Sequence, residues 1–365
     1  TADQCRFIAE HSEAVVAFVG NLDYLQKLLE FRHRLPCLQA IVMIEGDSDT
    51  ESVLSWTTFL ESGRRCCEST LQQRLGALES GGVCELIYTS GTTGAPKAVM
   101  LTHRNIVWLA EQLTPIWRVQ PGDALISYLP LSHIAEQVVT LYNPIFTGAC
   151  TWFAESLETL GDNLREVRPH IFFAVPRVWE KIQSIIEAAG ANRSSLDQRI
   201  ARWARRQGMA GGYAEQAGNP KPLLYGLADK LVFARVRRRL GLDRCRQVFT
   251  AAAPISKHTL EFFLGFGIPI LEIYGMSETT GPATLSTREA YRTGKAGRAI
   301  DGTEIRIAAD GEICMRGPHV SPGYFKDPAA TRATFDEEGW LHSGDIGEID
   351  ADGYLSITDR KKELI

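Results

Sequence analysis

The sequence predicts an α/β protein with layered, mainly parallel sheets flanked by helices, followed by a small β-rich subdomain. Short β-branched apolar runs alternate with segments of helical period over most of the chain. A loop dense in glycine and hydroxyl residues follows directly on one of those runs. Beyond about Gly294 the texture changes to short alternating runs broken by Asp-Gly pairs, which signals antiparallel hairpins.

Residues 14–19 (AVVAFV) and 40–44 (AIVMI) read as strands, and residues 22–35 between them carry Leu25, Leu28, Leu29 and Leu35 at helical spacing. That is a βαβ unit. The same alternation recurs at 86–88 before the glycine-rich loop, at 170–175 before a helix over 177–189, and at 247–250 and 268–274. Such a series implies a mainly parallel sheet whose ligand site lies at the carboxyl ends of its strands, where the glycine-rich loop is expected. Residues 192–221 are polar and contain Gly211, Gly212, Gly218 and Pro220, so they read as an exposed excursion between helices. Residues 304–307, 312–316 and 354–358, with turns at Asp310-Gly311 and Asp352-Gly353, build the antiparallel subdomain. The expected division is an α/β body over 1–293, a β-rich subdomain over 294–358 and a terminal segment over 359–365.

With 365 residues, 44% of them apolar, the chain can bury a sizeable core. Its 39 basic and 44 acidic residues give a net charge of -5, so no global positive field recruits nucleic acid. The eight cysteines form no CxxC pair and no cysteine-histidine cluster at the sequence spacing of metal ligands. They read as reduced, mostly packed thiols of a cytoplasmic protein. No run of about 18 apolar residues is present.

Residues 88–97 (YTSGTTGAPK) carry the strongest chemical signal. Gly91 and Gly94 let backbone N–H groups approach anionic oxygens. Thr89, Ser90, Thr92 and Thr93 add hydroxyl donors, and Lys97 adds a mobile positive charge. This is a phosphate-binding loop. It is not a GxxxxGK[ST] loop, because Lys97 follows Pro96 and precedes Ala98. A helix is expected from near Thr102.

The loop resembles the signature of the adenylate-forming superfamily, which includes acyl-CoA synthetases, luciferases and nonribosomal adenylation domains. Five further segments agree in order: 128–133 (YLPLSH), 251–256 (AAAPIS), 274–279 (YGMSET), 339–345 (GWLHSGD) and 359–362 (DRKK). Residues 176–181 (PRVWEK) and 274–278 look most like long-chain and very-long-chain acyl-CoA synthetases, including the bubblegum type. The resemblance implies the large N-terminal domain of the adenylate-forming fold. It also implies ATP-dependent activation of a long-chain fatty acid through acyl-AMP with release of pyrophosphate, then transfer to CoA. Ala98 and Ala251 stand where many relatives have glycine.

In that chemistry two anions must meet, so positioning and charge neutralisation carry the catalysis. A single acid beside hydroxyls suits Mg2+ shared with phosphate oxygens, which fits Glu278. By resemblance Glu278 is the magnesium ligand and Thr279 a phosphate contact, with Gly275, Met276 and Ser277 in the same motif. Tyr274 offers a flat face to adenine or else is a core aromatic at the sheet end. Ala252 and Ala253 admit a flat base beside the backbone. Asp345 suits the two ribose hydroxyls and Arg360 adds a donor, these two being otherwise a turn and a surface ion pair. His133 either closes over the acyl phosphate or carboxylate or is a satisfied core histidine.

Arginines over 199–206 and 235–246, the latter interleaved with Val232, Phe233, Val236, Leu240 and Leu242, read as a solvated face over a buried stripe or as a peripheral membrane patch. The chain lacks an initiator Met and stops in a charged stretch, so it is read as truncated at both ends, with impaired thioester formation expected. An acyl-AMP ligase serving a carrier protein and a non-catalytic nucleotide- or acyl-binding module are the competing readings. Chain length of the acid and oligomeric state are left open.

Overall fold

The computed structural model describes residues 1–46, 50, 52–89, 95–191 and 193–361. The chain divides into two compact units, Thr1–Gly82 and Val83–Ile365.

In the first unit β1 (Val16–Val19), β2 (Ala40–Met43) and β3 (Val53–Ser55) form a parallel sheet in that order. The helix Leu22–Leu29 makes the expected crossover between β1 and β2, capped by Asn21, whose side chain accepts from the N–H groups of Asp23 and Tyr24. It stops six residues earlier than the leucine spacing suggested, and Arg32–Arg34 continue as a short 3-10 turn. Leu25, Leu28, Leu35, Ile41 and Met43 still share one core.

The second unit opens with β4 (Val83–Thr89) and β5 (Lys97–Thr102), which are antiparallel. The strand that precedes the glycine-rich segment is therefore paired antiparallel with the strand that follows it and is not part of a parallel sheet, as the βαβ reading expected. The helix His103–Trp117 begins where Thr102 caps it, with Asn105 completing the capping box. Two parallel strands follow, β6 (Ala124–Ser127) and β7 (Cys150–Phe153). The central sheet contains β8 (Ile171–Phe173), β9 (Gln247–Thr250), β10 (Ile270–Met276), β11 (Gly281–Leu285) and β12 (Arg298–Ala299), with β8, β9 and β10 parallel and the last two antiparallel.

Both faces of that sheet are covered, which explains why its strands read as nearly continuous apolar runs. Ile171, Phe173, Phe249, Leu271 and Ile273 point into one core with Leu109, Leu113 and Trp117. Their neighbours Phe172, Val248 and Ile270 point into another with Trp179, Phe262 and Phe263.

The described part of 192–221 is not an excursion between helices but is mostly helical itself. It contains the 22-residue helix Ser195–Gln216, in which Ala204, Gly208, Gly211 and Gly212 are buried. A Cβ at Gly208 would lie 2.1 Å from the Gly265 carbonyl oxygen, and one at Gly212 would lie 2.3 Å from Leu264 Cδ1. Of the glycines that read as loop signals, Gly212 packs against Leu264 and Gly211 against the Tyr225 ring, whereas Gly218 does lie in the turn after the helix.

The subdomain is a four-stranded antiparallel sheet of β13 (Glu304–Ile307), β14 (Glu312–Arg316), β15 (Leu341–Ile349) and β16 (Leu355–Arg360). Its core joins Ile313, Met315, Leu341 and Leu355 to Tyr274 and Ala283 of the central sheet. Strand β15 had no clear signal, since it holds Ser343, Gly344 and Asp345 in its middle. All eight cysteines are free, but only Cys314 is buried and five are exposed, so the thiols are not mostly packed.

Candidate functional site

Lys97 opens β5 opposite Thr89, whose hydroxyl donates to the Lys97 carbonyl at 3.5 Å. Ser90, Gly91, Thr92, Thr93 and Gly94, the centre of the phosphate loop, lie outside the described residues, as does Lys362. The Lys97 Nζ stands 4.7 Å from the centre of the Tyr324 ring, a cation–π contact. Tyr324 belongs to residues 323–325, which pair with β5 through the Met100 N–H to the Gly323 carbonyl at 3.0 Å and the Phe325 N–H to the Ala98 carbonyl at 2.8 Å. Its hydroxyl donates to Glu278 Oε1 at 2.7 Å. Tyr324 thus links the loop lysine to the expected magnesium ligand, a residue that sequence reasoning missed. The aromatic directly after Gly323 was the available signal.

Glu278 is buried in the one-turn 3-10 helix Ser277–Thr279 at the end of β10. Burial and the Glu278 charge raise the pKa of the Tyr324 hydroxyl, so it stays a donor. Glu278 Oε2 has no hydrogen-bond partner among the described residues, which leaves one oxygen of a positioned carboxylate for a cation. Ser277, beside it, is partly exposed.

Thr279 is placed differently from the expectation. It is fully buried, and its hydroxyl donates to the Gly281 carbonyl at 2.6 Å while accepting from the Met276 N–H at 2.9 Å. A hydroxyl with one proton so engaged holds the turn and is not offered to a phosphate. Gly275 is required at the bulge of β10, because a Cβ there would lie 1.9 Å from the Gly281 carbonyl oxygen.

A second group lies where β10 meets the subdomain. Tyr274 is buried, and its hydroxyl donates to Asp345 Oδ2 at 2.8 Å. The core-aromatic reading of Tyr274 is realised, and its polar end orients the acid. Asp345 and Arg360 are cross-strand partners on β15 and β16, with Arg360 Nε 3.6 Å from Asp345 Oδ1. Burial raises the Asp345 pKa above the ordinary carboxylate value, against the lowering by Tyr274 and Arg360. Each carboxylate oxygen keeps a lone pair for further donors.

Ala252 and Ala253 are exposed immediately after β9. Ala252 has φ of 73°, a left-handed conformation that costs a non-glycine residue about 1–2 kcal/mol. His133 is exposed and not a core residue. It caps the helix Ile134–Gln137, its Nδ1 accepting from the Ala135 N–H at 3.2 Å. Desolvation lowers its pKa from the usual histidine value, with Glu136 opposing, so the neutral ring is favoured.

A lysine at the start of β5, a positioned acid at the end of β10 and a half-buried aspartate beside an arginine lie in one unit of an α/β protein. The chain matches the model of the AMP-binding enzyme family over residues 1–325, and it belongs to that family. It is 42% identical to long-chain-fatty-acid–CoA ligase ACSBG2 of Xenopus laevis, all of this chain aligning with 51% of that protein. Against ACSBG2 of Homo sapiens the identity is 37%, with all of this chain and 57% of that protein covered. The chain therefore spans about half the length of the curated relatives it matches. Its fold is similar to that of the anthranilate CoA ligase AuaEII in complex with anthranoyl-AMP, at a TM-score of 0.73 and 20% identity over all of this chain and 62% of that one. The fatty acyl CoA synthetase of Mycobacterium tuberculosis gives a TM-score of 0.69 at 22% identity, over all of this chain and 62% of that one.

Proposed function

We propose that this chain is the nucleotide-binding part of an ATP-dependent ligase that activates a long-chain fatty acid through acyl-AMP, and that the whole protein then transfers the acyl group to CoA. The observation that carries the reading is the Lys97–Tyr324–Glu278 connection, with the Tyr274–Asp345–Arg360 group in the same unit. The similarity to long-chain-fatty-acid–CoA ligases supports the substrate class.

In the reaction, a carboxylate oxygen attacks the α-phosphorus of ATP, an acyl C–O–P linkage forms, and the bond to the departing pyrophosphate breaks. The carboxylate and the triphosphate repel each other, so the site must supply positive charge and fixed donors. Lys97 and the loop Thr89–Gly94 are assigned to the phosphates. Glu278 would hold Mg2+, whose chemistry is to neutralise phosphate oxygens. Asp345 and Arg360 are assigned to the ribose, and Ala252 and Ala253, with the segment Tyr274–Ser277, to the base. His133, neutral and exposed, is assigned to the acyl carboxylate or acyl phosphate.

In this reading residues 1–293 are the binding body, 294–358 the β-rich subdomain and 359–365 a hinge. No helix among the described residues is long and apolar enough to cross a membrane, and we assign the protein to the cytoplasm with a peripheral membrane contact. Support comes from the consecutive helical segments Tyr225–Ala228, Asp229–Phe233 and Ala234–Leu240. Their exposed face carries Leu227, Leu231, Lys230, Arg235, Arg238 and Arg239, preceded by exposed Leu223 and Leu224. The stripe named from sequence, Val232, Phe233, Val236, Leu240 and Leu242, instead packs against the core.

The test is fatty-acid-dependent exchange of labelled pyrophosphate into ATP, with acids from acetate to long chains. Exchange should rise with acyl length and fall about 100-fold or more in Lys97→Ala and Glu278→Ala. Exchange that ignores the acid, or survives both substitutions, would refute the assignment.

A further inference from the structure

The subdomain sheet holds a second group of ligand-bearing side chains that the nucleotide site does not use. Glu312 and Cys314 are two residues apart on β14 and so share a face, and His342 on β15 is the register partner of Cys314. The His342 Nδ1 lies 3.2 Å from Glu312 Oε2 and 3.5 Å from Cys314 Sγ, and the three donor atoms are all within 4.8 Å of one another. Around a tetrahedral zinc ion, with bonds of about 2.0–2.3 Å, neighbouring ligand atoms stand about 3.3–3.6 Å apart. The two separations to His342 nearly match that spacing.

The surroundings also suit a cation. His342 Nε2 lies 3.5 Å from Asp336 Oδ2, the outer carboxylate position that holds the ring and directs Nδ1 toward a ligand. Glu312 Oε1 is fixed by the Gly344 N–H at 2.8 Å. A positive charge already sits against the group, because Lys361 Nζ is 2.9 Å from Glu312 Oε2 and 2.6 Å from Asp310 Oδ2. Arg306, 3.3 Å from Asp336, is the other nearby cation. Glu312 and Cys314 are buried on β14, whereas the His342 side chain on the adjacent β15 is 33% exposed and offers an entry path.

We propose that Glu312, Cys314 and His342 form a binding site for a thiophilic divalent cation of the zinc class, which displaces the Lys361 ammonium as counter-charge on Glu312. On binding, the Cys314 S–H bond breaks, its proton leaves to the buffer, and an S–metal bond forms with no change of oxidation state. Carboxylate and thiolate together balance the two positive charges. Lys361 keeps Asp310 as its partner. A thiolate and an imidazole beside one carboxylate favour zinc or cobalt over the hard, oxygen-seeking Mg2+. None of its three ligands is assigned to the nucleotide, although Glu312 is held by Gly344, next to Asp345, and metal binding is read directly, so the proposal does not rest on the adenylation reading.

Cobalt(II) titration of the whole chain, followed by zinc displacement in the presence of a competing chelator, tests this. The expected result is one equivalent with a thiolate-to-cobalt charge-transfer band, undiminished by millimolar Mg2+. Cys314→Ser should abolish the band and weaken zinc binding at least about tenfold, and His342→Gln should weaken it comparably. Cys67→Ser, at an exposed thiol, should leave the band in place. Lys361→Met should tighten binding severalfold, because the competing ammonium is gone, an effect that misfolding cannot imitate. Circular dichroism on each variant separates lost ligands from lost fold. A band that persists in Cys314→Ser, or no tightening in a folded Lys361→Met, would overturn the proposal.

Discussion

Tyr324 is the residue on which the candidate site turns. Its ring faces Lys97 and its hydroxyl satisfies a buried oxygen of Glu278. Tyr324→Phe keeps the ring but leaves that carboxylate oxygen without its donor. The loss of one partner from a buried acceptor costs about 1–3 kcal/mol. Chemical denaturation at neutral pH should show a lower midpoint at unchanged slope, and an unchanged midpoint would mean the hydrogen bond contributes nothing. The sequence named Lys97, Glu278 and Asp345 because their residue types and neighbours carry their chemistry. It missed Tyr324, which lies 46 residues from Glu278 and meets it only because residues 323–325 pair with β5. It misplaced Thr279 for a related reason. A hydroxyl beside an acid reads as a phosphate donor until the turn at Gly281 engages it.

At the scale of elements, the helix Ser195–Gln216 shows why glycine is an ambiguous signal. Glycine in a helix interior costs about 1 kcal/mol relative to alanine, so a cluster of them argues against a helix. Here close packing overrides propensity. Gly208→Ala would gain that propensity yet force a Cβ to within 2.1 Å of the Gly265 carbonyl oxygen, so the helix must move. A net loss on the order of 1–3 kcal/mol is expected in thermal or urea unfolding. Gly190, in the last turn of the helix Pro176–Ala191, is the control: a Cβ there would meet nothing within 4 Å, and Gly190→Ala should be neutral or stabilising. Equal effects at the two positions would contradict the packing argument. The strands β9, β13 and β14 fall at the residues their periodicity suggested. Strand β15 does not announce itself, because Ser343, Gly344 and Asp345 have low strand propensity and are held there by β14 and β16.

At the scale of the whole molecule, a net charge of -5 conceals a local basic stripe. Leu223, Leu224, Leu227 and Leu231 are exposed beside Lys230, Arg235, Arg238 and Arg239, an arrangement suited to anionic headgroups with the leucines inserted. Co-sedimentation with vesicles should therefore be stronger for anionic than for neutral lipid and weaker at high salt. It should fall severalfold in Leu227→Ser/Leu231→Ser. Equal binding to neutral and anionic vesicles would remove the electrostatic part of the assignment, and binding unaffected by the double substitution would remove the leucines.

What the sequence determined by itself is local: the α/β class, the order of most strands and the family, since each rests on residue types at short spacing. Tertiary structure decided what depends on pairing across long separations. It paired β4 and β5, the strands on either side of the glycine-rich segment, antiparallel. It turned a polar, glycine-bearing stretch into a packed helix. It also brought His342 to Cys314, 28 residues away, where no sequence spacing suggested a ligand set. The physical reason is the same in each case: periodicity reports which face of an element is apolar, whereas strand pairing and close packing decide which polar groups meet.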